Sequence, residues 1–225
     1  MEIIPGIDVK KTKRNPTIDS DESLYELPFY KDADYFFNID NYIFFIKAVE
    51  RLVRSSNYYS RYIAHLKSDL GLNFCQVKSN IQEDEEKDIK DIIEMHHGPI
   101  LTLFDCVAIV VDYLLYKKEK ITTFSVANII IEEHFNYNIQ TVMLCKTVHE
   151  QVHENNVFIN MKQGFGNLNK FLEKYKEGIQ PEQIYKINKY IELSHKYDSF
   201  DKDVLKLNKN VTKWSKELGI DNEEE

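Results

Sequence analysis

Apolar residues along this 225-residue chain recur mainly at the helical spacing of three and four positions. Over 41–69 this spacing predicts two consecutive helices, of which the second starts at Tyr58 and ends before Gly71. The same periodicity, together with helix-capping signals, predicts further helices over 103–118, 123–135, 169–177, 181–197 and 201–218. The sequence therefore indicates a chain that is built mostly from helices.

Short extended segments interrupt the helical pattern. Residues 92–97 alternate well enough to predict a strand that the Gly98–Pro99 dipeptide stops. Residues 139–144 predict a second strand, and 74–77 a third, shorter one. Few strands among many helices, with only 7 glycines and 5 prolines in the chain, predict an α+β fold that is mainly α-helical.

A short helix is predicted directly after the second of these strands. Thr147 and Glu150 have the spacing of a capping box, which would start the helix at Val148. Two asparagines at 155 and 156 would end it after about two turns.

Changes in these patterns divide the chain into five regions. They are a flexible N-terminal arm (1–25), an N-terminal helical region (26–72), a core that contains the strands (73–160), a C-terminal helical region (161–218) and an acidic tail (219–225). Within the core, the helices at about 101–137 are predicted to form an inserted helical hairpin.

Composition and charge narrow the possible classes of protein. Apolar residues make up 43% and charged residues 29%, as in ordinary globular proteins, and the net charge of −8 argues against a broad, non-specific nucleic-acid coat. The three cysteines include no CxxC motif, which favours a reducing compartment. With no signal-peptide pattern and no apolar run of membrane-spanning length, we expect a cytoplasmic protein (in the host cell if it is viral) that is not secreted and has no membrane partner.

Two groups of histidines are the strongest chemical signal. His96 and His97 are adjacent, whereas His149 and His153 are four positions apart, so that on a helix they share one face. Imidazole is the commonest metal ligand in proteins, and two imidazoles at this spacing suit one divalent ion. His65, His134 and His195 stand alone, and no functional role is predicted for them.

The segment from His149 to His153 also matches the zinc-protease motif H-E-x-x-H, with Glu150 as general base. Three features weigh against a metalloprotease: Glu150 suits a capping role, the helix is short, and the motif leaves His96 and His97 without a function.

Segments 94–99 and 142–153 together resemble the HNH endonucleases, in the branch with a His-His pair on the first strand of the ββα-metal motif. The resemblance implies an HNH-like ββα-metal core and a metal-dependent endonuclease, of phage or mobile-element type, that hydrolyses DNA phosphodiester bonds. It implies that His97 is the general base and that His96, His149 and His153 bind one divalent cation. Mg²⁺ or Mn²⁺ is expected from nuclease chemistry, with Zn²⁺ or Ni²⁺ possible for imidazole ligands.

Gln140 stands where the HNH family has a central asparagine, and this departure keeps a second interpretation open. In that interpretation the chain is a non-catalytic, HNH-like nucleic-acid-binding or assembly protein of a virus. DNA is the predicted partner, with Arg51, Arg54 and Arg61 as candidate phosphate contacts. The C-terminal helices are candidates for contacts with a second copy or with other phage proteins.

Overall fold

The computed structural model describes residues 30–77 and 92–198, and within these ranges it contains eight α-helices and two β-strands. The predicted mainly helical α+β class is therefore confirmed. The predicted arm at 1–25, the helix at 201–218 and the tail at 219–225 lie outside the described residues. No helix of the described part has both the length and the apolar character that a bilayer span requires.

The N-terminal region forms a short helix α1 (Ala33–Phe36) and the predicted helix pair, α2 (Ile39–Ser55) and α3 (Asn57–Ser68). Both helices of the pair begin at side-chain caps. Asn38 accepts a hydrogen bond from the main-chain N–H of Asp40, and Ser56 accepts one from that of Tyr59.

Helices α4 (Leu103–Tyr116) and α5 (Thr123–Phe135) form the predicted hairpin. They lie at the centre of the larger hydrophobic core rather than at its edge, since Ile109, Val110 and Val111 are completely buried there. The hairpin is therefore a main part of the fold.

The two strands, β1 (Ile93–His97) and β2 (Thr141–Cys145), pair antiparallel, with His96 opposite Val142 and His97 opposite Thr141. On the other edge of β2, Thr141 exchanges two main-chain hydrogen bonds with Phe165. The predicted strand at 74–77 is wrong, because only Gln76 pairs with β2 and the segment does not continue as a ladder.

Helix α6 (Lys146–His153) follows β2 without a loop and starts two residues earlier than predicted. The predicted capping box is wrong: Cys145 is the N-cap residue, and its side chain makes no capping hydrogen bond. The chain continues through α7 (Leu168–Lys174) to α8 (Pro181–Asp198), close to the bounds predicted from periodicity.

A second, smaller hydrophobic cluster lies between α6 and the strands. Its buried members come from β2, α6 and two loops: Cys75, Val142, Leu144, Cys145, Val148 and Ile159. This cluster fixes α6 against one face of the sheet, so side chains on α6 and on that face of β1 lie close together.

Candidate metal centre

The pleat of β1 sends its two adjacent histidines to opposite faces of the sheet. His96 lies on the face that α6 covers, together with Glu94 two residues earlier. His97 lies on the other face with Met95, within the main body of the protein, and is only 5% exposed. The His-His pair is therefore divided between two environments.

On the α6 side, His96, His149 and His153 form a three-histidine group, which we call the outer cluster. Each ring offers one nitrogen, and these three atoms lie within 4.8 Å of one another. The Nε2 atoms of His149 and His153 are 3.0 Å apart, and both rings are close to that of His96, with centroid distances of 5.1 and 5.3 Å. The structure thus brings together all three predicted metal ligands.

Glu94 orients one ring of the outer cluster. Its carboxylate lies 2.6 Å from His149 Nδ1. Because an ionised carboxylate only accepts hydrogen bonds, Nδ1 carries the proton, and in the neutral ring the lone pair is on Nε2, the atom that faces His153.

Electrostatics keep His96 in the form that coordinates metals. Burial, reinforced by the nearby His149 and His153, lowers the pKa of His96 to about 4. The ring is therefore neutral at pH 7 and has a nitrogen lone pair to donate. His153 is exposed, so the cluster is reachable from solvent.

His97 instead pairs with His134 of α5, and we call these two residues the inner pair. Their Nε2 atoms are 3.0 Å apart, and His134 donates its Nδ1–H to the carbonyl of Ile130. Aromatic rings enclose the pair: Tyr59 stacks on His97, and Tyr62 contacts His134 edge-on. Burial lowers the pKa of both imidazoles, that of His134 to about 4.

Two other residues that the sequence singled out have structural contacts. Gln140 is buried, and its side-chain amide donates a hydrogen bond to the carbonyl of Met161 at 3.1 Å. Glu150 is exposed on α6, and its carboxylate lies 4.0 Å from Lys146 Nζ, on the same helix surface.

The three candidate phosphate-binding arginines are exposed on α2 and α3. Arg54 forms an ion pair with Glu50 one turn earlier, at 3.6 Å, and the guanidinium of Arg61 lies over the ring of Tyr58. These contacts are local to each helix.

Sequence reasoning missed two residues of these sites. Glu94 could have been found, because a strand residue two positions before His96 must share its face. His134 could not, because no pattern in the sequence connects α5 with the end of β1.

The comparisons with known proteins identify the family. The family model for Bacteriophage G278-like virion proteins matches residues 3–224, so the chain belongs to that family and, as a virion protein, is part of the phage particle. No curated protein and no solved structure matches the chain. The expected bacteriophage origin is confirmed.

This family match corrects the nuclease interpretation. The resemblance to HNH endonucleases is wrong, because the matching family is a virion-protein family that spans almost the whole chain. The prediction of a DNA-hydrolysing enzyme is wrong for the same reason, so the general-base role implied for His97 loses the reaction on which it was based. DNA as a partner is not supported, and the expected place of action, the host cytoplasm, becomes the phage particle.

Proposed function

We propose that this chain is a non-catalytic assembly component of the phage particle, and that it binds another virion protein through a groove between α2, α4 and α8. The observation that carries this proposal is a surface groove of about 510 Å³ whose lining combines aromatic and aliphatic side chains with charged and amide ones. Exposed apolar surface of this kind is typical of protein–protein contacts in soluble proteins.

The groove combines apolar walls with an acidic rim. Phe36, Ile39 and Phe104 are among its apolar lining residues, and Ile39 is 64% exposed. One wall belongs to α8, which agrees with the expectation that C-terminal helices contact other phage proteins.

Charge indicates the chemistry of the partner. Among the described residues that line the groove, three carboxylates (Asp105, Asp112 and Glu182) accompany one ammonium, that of Lys186. Lys186 pairs with Asp105, which leaves the rim negative. A segment that carries both apolar and basic side chains would complement this surface.

The inner pair supports a role without catalysis. His97 is shielded by Tyr59 and hydrogen-bonded to His134, on the opposite side of the sheet from the outer cluster. A general base has to come within hydrogen-bond reach of the proton that it removes, and His97 is placed away from the solvent-accessible histidines.

The proposal is tested in phage that carry single substitutions. Ile39→Lys removes an apolar contact from the groove and places a positive charge opposite the basic side chains proposed for the partner. We expect at least a roughly tenfold lower copy number of the chain in purified particles, by quantitative mass spectrometry. Cross-linking from Lys186 to another virion protein should decrease in parallel.

Phe44→Lys is the matched control, because Phe44 is on the same helix, is 70% exposed and does not line the groove. Equal incorporation of the two variants would overturn the groove as the contact surface. Cross-links from Lys186 only to a second copy of this chain would replace the proposed partner with a homodimer. Plasmid nicking by the purified chain that is lost in His96→Ala would overturn the non-catalytic role.

A further inference from the structure

We propose that the outer cluster is a Zn²⁺ site in which His96, His149 and His153 bind one ion and thereby join β1 to α6. Neither the family description nor the groove assigns this site. The inference therefore goes beyond the proposed assembly role, and it does not depend on that role.

The distances fit one small ion. In tetrahedral geometry with bonds of about 2.0–2.1 Å, two nitrogen ligands lie roughly 3.3 Å apart. The Nε2 atoms of His149 and His153 are 3.0 Å apart, and all three donor atoms fall within 4.8 Å of one another. Small rotations of the side chains would bring the third nitrogen to the same spacing, without a change in the backbone.

Glu94 supplies the hydrogen-bond acceptor that metal-binding histidines usually have at the ring nitrogen that does not bind the metal. Its carboxylate fixes the ring of His149 in the tautomer whose Nε2 lone pair points into the cluster. The same carboxylate, 41% exposed, places a negative charge next to the site, which favours a cation there.

The donor chemistry selects the class of metal. Three imidazole ligands favour Zn²⁺ and the other late divalent ions, whereas Mg²⁺ requires oxygen ligands and retains its water. The expectation of Mg²⁺ or Mn²⁺ was based on nuclease chemistry, which the family match removes. Zn²⁺ is the ion that the three side chains suit best.

The placement of the ligands indicates a structural role for the ion. Helix α6 has only eight residues and no side-chain N-cap, so its stability depends on contacts with the sheet. His96 is on β1, more than 50 positions before His149 and His153 on α6. An ion bound by all three would hold α6 on the sheet in addition to the small hydrophobic cluster around Val148.

The test uses the untagged full-length chain, because a histidine tag would itself bind zinc. The chain is treated with EDTA, dialysed and titrated with ZnCl₂ by calorimetry, and MgCl₂ is titrated in parallel. We expect one Zn²⁺ per chain and no binding of Mg²⁺ at the same concentrations. X-ray absorption at the zinc edge should show three imidazole ligands.

Substitutions separate this site from adventitious binding. His153→Ala removes an exposed ligand without opening the core. It should weaken Zn²⁺ binding more than about 100-fold, which exceeds the loss typical of removing a group that only orients a ligand. Glu94→Gln should weaken it about 10- to 100-fold, because the carboxylate orients His149 without touching the ion. His195→Ala, at an exposed histidine of α8, is the matched control and should bind like the wild type.

Three outcomes would overturn the proposal: no zinc binding by the folded, EDTA-treated chain, the same affinity in His153→Ala as in His195→Ala, or an X-ray spectrum without three imidazoles. Circular dichroism of each variant establishes that the chain is folded. Incorporation into particles is measured separately with the groove variants, so failure of the zinc site and failure of the assembly role are distinguishable.

Discussion

The outer cluster and the inner pair contain the same histidine arrangement in two different surroundings. His149 and His153 face each other with 3.0 Å between their Nε2 atoms, and so do His97 and His134. In each pair, one ring donates its Nδ1–H to an oxygen atom, which fixes the tautomer of that ring. The imidazole geometry alone therefore does not distinguish a candidate metal site from a core contact.

The surroundings make the difference. In the outer cluster, His149 and His153 lie next to a third imidazole, have an acidic hydrogen-bond partner and are accessible to solvent. The inner pair has the neutral carbonyl of Ile130 as its acceptor and the rings of Tyr59 and Tyr62 around it. A divalent cation would be stabilised in the first environment, whereas in the second it would lose its hydration among aromatic rings. We therefore expect metal to affect the outer cluster, and core substitutions and acid to affect the inner pair.

The largest expected effect is that of His97→Ala. The change leaves a cavity beside Tyr59 and removes the hydrogen-bond partner of His134, so we expect a loss of about 4 kcal/mol in the free energy of unfolding. Urea denaturation in metal-free buffer measures this loss. His153→Ala, at the exposed end of the outer cluster, should change the same quantity by less than about 0.5 kcal/mol. Equal losses in the two variants would contradict the division between surface and core.

Acid should destabilise the protein through the inner pair. Burial lowers the pKa of His134 to about 4, from about 6.5 in the unfolded chain. Between these pH values the unfolded chain binds a proton that the folded chain excludes, so the free energy of unfolding falls as the pH drops from 6.5 to 4. For His134 the total decrease is about 3 kcal/mol.

Urea denaturation at a series of pH values in this range measures the decrease. His134→Gln should flatten the profile, whereas His96→Ala should retain the part that the inner pair contributes. A wild-type stability that stays constant from pH 7 to pH 4.5 would show that protonation of the inner pair does not oppose folding.

Zinc should stabilise the chain through the outer cluster. At a free concentration of 100 times the dissociation constant, an ion that binds only the folded state raises the free energy of unfolding by about 2.7 kcal/mol. Urea denaturation with and without ZnCl₂ should show this increase for the wild type and at most about 0.4 kcal/mol for His153→Ala at the same zinc concentration. A similar increase in both would locate the stabilising ion elsewhere.

The smallest expected effect is that of Glu150→Ala. The carboxylate is exposed, makes no cap and lies 4.0 Å from Lys146 Nζ, so its loss should cost at most about 0.5 kcal/mol. Zinc affinity should be unchanged, because Glu150 is not among the three clustered ligands. A large decrease in zinc affinity would show that Glu150 belongs to the metal site.

Much of the fold could be predicted from periodicity. The bounds of α2, α4 and α8 lie close to the predicted ones. Helix α2 buries an apolar stripe at the helical spacing, α4 is apolar and buried on most sides, and α8 begins at Pro181. The start of α6 was wrong because β2 passes directly into the helix, which leaves Thr147 inside the first turn instead of at the cap.

The candidate site shows a different limit of sequence reasoning. The spacing of His149 and His153 on one helix face was sufficient to predict that they cluster, and β1 places His96 next to them. The strand pattern at 92–97 also implies that His96 and His97 face opposite ways, which is at odds with the prediction that both act at one metal centre. The contact of His134 with His97 is apparent only from the three-dimensional structure, because the two residues are 37 positions apart in sequence.

The outer edge of β2 has a consequence for a protein that is part of a larger particle. Besides the two bonds between Thr141 and Phe165, Gln76 donates its N–H to the carbonyl of Met143 and accepts the N–H of Met143 with its side-chain oxygen. The outward main-chain groups at Thr141 and Met143 are therefore all satisfied without a third strand. A strand of a neighbouring molecule finds no free partner at these positions, so it cannot extend the sheet there.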